Sequence, residues 1–215
     1  MPDKTCDNQL SVPNHVSKAE KLFSLIAPVY DLILSPGLKR LYFTAIDLGI
    51  KLNPFLTSEK NKLKNPEDSS KITALDVGTG TGLLASCLAK HDFSVFGIDV
   101  SKKMLKVAKK RRPYVAEFSY LPAHCSSIHP EAPFDIVCAG MLMHGLPRKY
   151  RRRVLKDMFL ATKHGILIID FSLTYHLFSA VIERLEGSFY LDFIKEFQED
   201  LSFCFGHDNY LIKPL

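Results

Sequence analysis

Two acids and three glycines, set at fixed spacing, are the residues of this 215-residue chain best suited to hold a ligand. Asp76 lies near the end of the apolar run Ala74-Leu75-Asp76-Val77, and Gly78, Gly80 and Gly82 follow at alternate positions with Thr79 and Thr81 between them. Glycine lets the backbone turn sharply and come close to a ligand with no Cβ in the way. A helix expected from Leu83 to about Lys90 points its first backbone N–H groups into the same space. A second apolar run, Phe93 to Ile98, ends in Asp99. An acid about twenty residues beyond the glycines suits a grip on two ribose hydroxyls. The pattern is that of a nucleoside-cofactor site.

Two cofactors compete for it. Gly80-x-Gly82-x-x-Ala85 followed by Asp99 satisfies the dinucleotide fingerprint. Asp76 argues against that cofactor, because a carboxylate beside a pyrophosphate sets two negative charges together. S-adenosylmethionine (SAM) has no phosphate and carries a cationic amino group and sulfonium, which a nearby carboxylate favours. The chain also lacks the Tyr-x-x-x-Lys pair that short-chain dehydrogenases use for proton transfer. SAM is the expected cofactor.

These residues need a scaffold that brings strand ends together. From Lys71 onward strand and helix patterns alternate, which predicts an α/β, doubly wound, mostly parallel sheet. The candidate strands are Ile72–Val77, Phe93–Ile98, Glu117–Leu121, Phe134–Cys138 and Ile166–Phe171. Ser101 is placed as the N-cap of a helix that turns Met104, Val107 and Ala108 inward. Pro147 opens another helix with Val154, Leu155, Met158 and Thr162 as its buried stripe, stopped by Gly165. A long helical stretch runs from about Tyr175 to Phe197, interrupted near Gly187-Ser188. Leu201–Phe205 and Tyr210–Lys213, separated by Gly206-His207-Asp208, have the pattern of a β-hairpin. Upstream, residues 1–16 carry no periodicity and are expected to be disordered. Residues 17–70 are expected to form a helical cap and linker. In it Ala19, Leu22, Phe23 and Ile26 make one helical stripe, helix resumes from Leu38 to about Ile50, and Asn53–Ser70 is a polar loop.

Composition narrows the class. At 47% hydrophobic and 24% charged residues, the chain is ordinary for a globular protein, and residues 71–215 suit one domain with a sizeable core. No apolar stretch approaches the roughly 20 residues of a membrane span. The N-terminus lacks a hydrophobic signal region, and Cys6, Cys87, Cys125, Cys138 and Cys204 are odd in number, with no Cys-x-x-Cys. A cytoplasmic protein with reduced thiols and no metal is expected. The net charge is +5, with basic clusters at Lys102–Arg112 and Arg148–Lys156. These suit solvated helix faces, an anionic membrane surface, an acidic substrate or nucleic acid, and charge alone does not choose among them.

Across Ile72 to Pro214 the chain resembles the class I SAM-dependent methyltransferases. The residues that carry the resemblance are Leu75-Asp76-Val77-Gly78-Thr79-Gly80-Thr81-Gly82, Gly97-Ile98-Asp99-Val100-Ser101-x-x-Met104-Leu105 and Phe134-Asp135-Ile136-Val137. The resemblance implies a seven-stranded Rossmann-like sheet closed by a terminal antiparallel hairpin, which the Leu201–Lys213 pattern matches. Phe23-Ser24-Leu25-Ile26-Ala27-Pro28-Val29-Tyr30-Asp31 and Leu34-Ser35-Pro36-Gly37-Leu38 are similar to the opening of the ubiquinone and menaquinone biosynthesis C-methyltransferases. The likeness implies SAM contacts at Asp76, Gly78, Thr79, Gly80, Thr81, Gly82, Asp99, Val100, Met104 and Gly140. After the third strand the family usually has Asp-Ala on the adenine; His124-Cys125 stands there instead. A neutral His124 accepts one hydrogen bond, and the Cys125 backbone N–H suits an adenine ring nitrogen.

Two further residues are candidates for the chemistry. His144 follows the fourth strand, where open α/β sheets bind ligands, and is placed to take a proton from the acceptor. Tyr30 is placed over the cofactor from the cap. Met141, Leu142 and Met143 offer an apolar wall. The segments Leu32-Ile33-Leu34 and Phe171 to Phe178 suggest a hydrophobic acceptor pocket. A small-molecule acceptor is therefore expected, with C-methylation of a prenylated quinol foremost and another lipid or small-molecule methylation as alternative. Basic helices nearby suit peripheral contact with an anionic membrane. Nucleic acid is disfavoured, because Ala139-Gly140-Met141-Leu142 stands where base-amine methyltransferases carry Asn/Asp-Pro-Pro-Tyr. A non-catalytic SAM-binding partner subunit is the remaining reading.

Overall fold

The computed structural model describes residues 36–62, 71–115, 117–120, 133–172, 189–207 and 209–212. The expected disorder of residues 1–16, the first cap helix, Tyr30, His124, Cys125 and the Tyr175 half of the expected long helix lie outside the described residues.

Helix α1 covers residues 36–52, and Asn53 links it directly to α2 (Pro54–Lys62). Then come β1 (Thr73–Val77), α3 (Leu83–Lys90), β2 (Ser94–Asp99), α4 (Lys102–Arg111) and β3 (Glu117–Tyr120). The second half is β4 (Ile136–Gly140), a 3-10 turn at Met143–Gly145, α5 (Arg148–Ala161), β5 (Ile166–Ile169) and α6 (Tyr190–Phe205). All pairings are parallel, in the order β3-β2-β1-β4-β5. Such strands are covered on both faces, and β1 and β4 are accordingly buried along most of their length.

One face of the sheet holds Ala74 with Tyr42, Ile46, Leu84, Leu88, Leu105 and Ala108 from α1, α3 and α4. The other holds Leu75 and Val77 with Val154, Leu155, Met158, Phe193 and Phe197 from α5 and α6. Full burial of one such side chain contributes about 1.5–3 kcal/mol. The chain steps outward from β1 to β2 and β3, then crosses back to β4. That reversal opens a crevice beyond the carboxyl ends of β1 and β4, where Asp76, the glycines and Gly140 stand.

Three expectations fail. Among the described residues the sheet has five parallel strands, not seven, and no terminal antiparallel hairpin. Leu201–Phe205, taken as a strand, is the last turn of α6. Phe193, Phe197 and Leu201 recur every fourth residue and are buried against α5, so the helical period established upstream overrides the local alternation. Gly206, at φ +81, ends the helix instead of turning a hairpin. The Asn53–Ser70 loop also contains a helix, α2. Asn53 Oδ1 accepts the Leu56 N–H at 3.2 Å and Pro54 occupies the first helical position, a capping signature within polar composition.

Smaller shifts concern boundaries. β4 lies two residues further along than expected, which brings Gly140 to the strand end. α5 ends at Ala161 with Thr162 extended, ahead of Gly165. Ser101 caps α4 as expected, its Oγ accepting the Met104 N–H at 3.3 Å.

Candidate functional site: the carboxyl ends of the parallel strands

Gly78, Gly80 and Gly82 all adopt positive φ, at 70°, 54° and 81°. A residue with a Cβ pays roughly 1–2 kcal/mol in that region. Their surroundings differ. A Cβ on Gly78 would lie 2.8 Å from a Leu142 methyl and one on Gly82 2.8 Å from the Phe118 ring, whereas one on Gly80 would meet nothing within 4 Å. Gly78 and Gly82 thus serve packing as well as the turn, and Gly80 faces open space. Around them Thr79 donates its N–H to Ile98 O at 2.9 Å, and Gly82 donates to Thr79 O at 2.7 Å. The buried Arg112 donates from Nη1 to Thr81 O beneath the loop, a support that sequence reading counted only as part of a charged cluster.

Asp76 is 1% exposed on the α3 side of β1. Its Oδ2 accepts the Thr79 hydroxyl at 2.7 Å and the Ala85 N–H at 3.1 Å, while Oδ1 is buried with no hydrogen-bond partner. Burial, reinforced by the charge of Asp99 and opposed by the Thr79 and Ala85 bonds, raises its carboxyl to about 7. An orphaned buried carboxylate oxygen beside the glycine loop is the kind of group that a cationic ligand would satisfy.

Asp99 ends β2, whose neighbour is β1. Its Oδ2 accepts the Gly80 N–H at 2.8 Å and its Oδ1 accepts the Ser101 N–H at 2.7 Å. The acid is therefore oriented by the loop on one side and by the start of α4 on the other. A carboxylate has about four acceptor positions, so these two bonds are compatible with ribose hydroxyls as further donors. Val100 is half-buried and Met104 is buried on α4.

Gly140, at the end of β4, is closely packed. A Cβ there would lie 2.9 Å from the Tyr42 hydroxyl and 3.0 Å from a Leu84 methyl, so its glycine requirement comes from α1 and α3 packing over the strand end. Tyr42, unremarked in the sequence, is thereby placed at the switch point. Met141 follows with φ +53, a sparsely populated conformation for a side-chain residue. Its N–H bonds Ile169 O at 2.7 Å, and the turn brings Leu142 over Gly78.

His144 is 8% exposed, and its Nδ1 lies 2.6 Å from Asp170 Oδ1. Asp170, just beyond β5, also accepts the Met143 N–H at 2.7 Å through Oδ2 and its own neighbour Phe171 N–H at 2.8 Å through Oδ1. Phe171 stands edge-on to the imidazole at 4.8 Å, and Phe189 donates its N–H to His144 O at 3.1 Å. An acid that binds Nδ1–H fixes the imidazole tautomer with its lone pair on Nε2. Asp170 was missed. Its signal was present: like Asp76 and Asp99, it is an acid at the carboxyl end of an apolar strand.

Half of the second basic cluster forms an internal clamp. Arg148, Arg151 and Arg152 donate to the carboxylate of Asp200 at 2.9, 2.7 and 2.6 Å, and Arg151, fully buried, also bonds Leu146 O at 3.0 Å and Glu196 at 3.0 Å. Burial pushes the Asp200 carboxyl up, but the hydrogen bonds from the three guanidinium groups hold it below the usual range. The clamp locks α6 onto α5 and reaches the turn that carries His144.

Comparison with known proteins bears on the domain and its fold. Residues 74–165 match the family model of the methyltransferase domain. The chain is similar to a demethylmenaquinone methyltransferase of Chlorobaculum tepidum, 34% identical over 126 residues that cover 58% of this chain and 47% of the relative. It is also similar to a ubiquinone biosynthesis O-methyltransferase of Coxiella burnetii, 30% identical over 119 residues covering 54% and 50%. The chain spans about half the length of the curated relatives it matches. Among solved structures, Streptomyces venezuelae DesVI shares the fold, with a TM-score of 0.50 at 20% identity over 67% of this chain and 57% of that one. The open cradle at Gly80, the orphaned Asp76 oxygen and the oriented Asp99 fit a cationic nucleoside. Residues 74–165 are therefore similar to methyltransferase domains, and the acids and glycines at the strand ends fit S-adenosylmethionine as the cofactor.

Proposed function

We propose that the protein methylates a small, hydrophobic acceptor that bears an ionisable hydroxyl, a prenylated quinol being the class favoured, with His144 as the general base. The observation that carries this reading is the 2.6 Å pair of His144 and Asp170 at the same end of the sheet as the glycine loop. Bound SAM supplies an already activated methyl group, so the protein's work is to align the acceptor, exclude water and remove a proton. Phe171, Phe193 and Met143 surround His144 with apolar surface. Asp170 holds Nδ1, and Nε2 takes the hydroxyl proton as the acceptor ring attacks the methyl carbon. Once the ring carbon has gained the methyl group and the sulfonium has left as the neutral thioether, the ring proton on that carbon is lost and the oxygen regains a proton, which restores the aromatic quinol. A quinol is electron-rich enough for that attack, whereas the oxidised quinone is not. The similarity to a demethylmenaquinone methyltransferase supports carbon as the acceptor atom, and the similarity to a ubiquinone biosynthesis O-methyltransferase favours the oxygen alternative.

The test is turnover with methyl-labelled SAM and a demethylated prenyl quinol kept reduced. The reading predicts labelled quinol and stoichiometric S-adenosylhomocysteine, with the methylated atom identified by NMR. Inert quinols under conditions where another small acceptor takes up label would overturn it.

A further inference from the structure

We infer that the outer face of α4 docks on an anionic lipid surface. The helix reads Lys102-Lys103-Met104-Leu105-Lys106-Val107-Ala108-Lys109-Lys110-Arg111 and contains no acid. Met104, Leu105 and Ala108 turn into the core, while Lys102, Lys103, Lys106, Lys109, Lys110 and Arg111 are exposed. Six positive charges on one helix exceed the net +5 of the whole chain. On α5 only half of the basic residues are matched: Arg148, Arg151 and Arg152 pair with Glu196, Glu199 and Asp200, while Lys149, Arg153 and Lys156 are exposed and serve as the comparison surface. On α4, Lys103, Lys106, Lys109 and Lys110 make no ion pair among the described residues.

The last-turn cations Lys109, Lys110 and Arg111 suit the helix dipole, but the rest of the arrangement costs the isolated fold. Lys102 and Lys103 occupy the first turn, where the helix dipole disfavours cations, and Lys102–Lys106 and Lys106–Lys110 are like charges four residues apart. An anionic surface offsets these terms by attracting each cation. α4 is about 15 Å long, and its exposed lysines form one outward stripe that a planar anionic surface can contact together. Tyr120 and Tyr114 stand beside its two ends, 53% and 56% exposed, and the Lys102 ammonium lies 4.9 Å from the Tyr120 ring. A tyrosine ring with a polar tip is suited to the headgroup layer. Because the N-cap of α4, Ser101, is two residues past Asp99, docking sets the cofactor end of the sheet beside the membrane. The docking does not depend on which acceptor is methylated.

The experiment is co-sedimentation of the full chain with vesicles of phosphatidylcholine containing about a third phosphatidylserine, and with phosphatidylcholine alone. Two triple variants are compared: Lys103→Gln/Lys106→Gln/Lys110→Gln on α4, and Lys149→Gln/Arg153→Gln/Lys156→Gln on α5, which covers the opposite sheet face. Glutamine keeps helix propensity, and circular dichroism checks both folds. Wild-type protein should bind the anionic vesicles only, and lose most of that binding when salt rises from about 0.05 to about 0.5 M. The α4 triple should bind at least tenfold more weakly, since each basic residue at such a surface contributes about fivefold; the α5 triple should stay within about twofold of wild type. Equal losses in the two triples, no binding by the wild type, or tighter binding to single-stranded poly(U) than to the vesicles would each overturn the proposal.

Discussion

Gly80 donates its backbone N–H to the Asp99 carboxylate across 2.8 Å, so the centre of the glycine loop and the acid at the end of β2 form one unit. A change at either residue therefore disturbs both the turn and the group expected to hold the ribose.

Gly80 and Gly82 should separate binding from stability. Gly80→Ala and Gly82→Ala carry a similar backbone cost, since both positions have positive φ. Only Gly82→Ala also drives a Cβ against Phe118. Overpacking of that kind costs about 1–3 kcal/mol. Thermal unfolding should show Gly82→Ala clearly less stable than Gly80→Ala. Gly80→Val should lose SAM affinity by at least about tenfold while remaining folded, because its side chain enters the open cradle. Retained affinity in Gly80→Val would remove the loop from the site.

Asp76 gives the pH dependence. Its folded carboxyl titrates at about 7, above the unfolded value of roughly 3.9. A raised acid favours the protonated folded state, so its contribution to stability is fully present below the unfolded value and is lost as pH rises to about 7. SAM is cationic and prefers the charged carboxylate, so affinity should move the other way and rise between pH 6 and 8, on the order of tenfold. Asp76→Asn should flatten both trends and bind SAM more weakly. Calorimetry and thermal melts across that range check the signs.

The imidazole pair predicts a split between binding and turnover. His144→Ala should lower kcat by roughly 10²–10⁴ while SAM affinity stays near wild type. Asp170→Asn should also reduce kcat, since an amide can present its NH₂ to Nδ1 and favour the wrong tautomer. An unchanged rate in His144→Ala would exclude it as the base.

At the other side of the molecule, Arg151→Ala leaves the buried Asp200 short of a partner and should destabilise the fold by about 3–5 kcal/mol. Asp200 is held below its ordinary pKa. Its contribution is therefore present above the unfolded value and is lost as pH falls through the folded one. Denaturant melts should show acid sensitivity in the wild type that is reduced in Arg151→Ala.

The parallel sheet and the cofactor loop were legible because their signals are local: apolar runs, glycines at alternate positions, and an acid at a strand end. Asp76, Asp99 and the Ser101 cap stand where that pattern put them. The hairpin was misread because Leu201–Phe205 alternates well enough for a strand, and its helical state is set by Phe193 and Phe197 upstream and by three arginines on α5 that hold Asp200. Helix α2 was missed for the opposite reason, a strong cap at Asn53-Pro54 within polar composition. Tyr42 and Asp170 acquire meaning only through partners about a hundred or about twenty-five residues away, at Gly140 and His144, which no local spacing reveals.

The central claim is that the ends of β1 and β2 hold SAM through Asp99, and calorimetric titration of SAM and NAD into wild-type and Asp99→Ala protein tests it most directly. Losing a charged acceptor of two hydroxyl bonds costs on the order of 2–4 kcal/mol. The account predicts that the wild type binds SAM and not NAD, and that Asp99→Ala, still folded, binds SAM tens-fold or more weakly. An unchanged dissociation constant in the folded variant, or NAD bound in place of SAM, would contradict it.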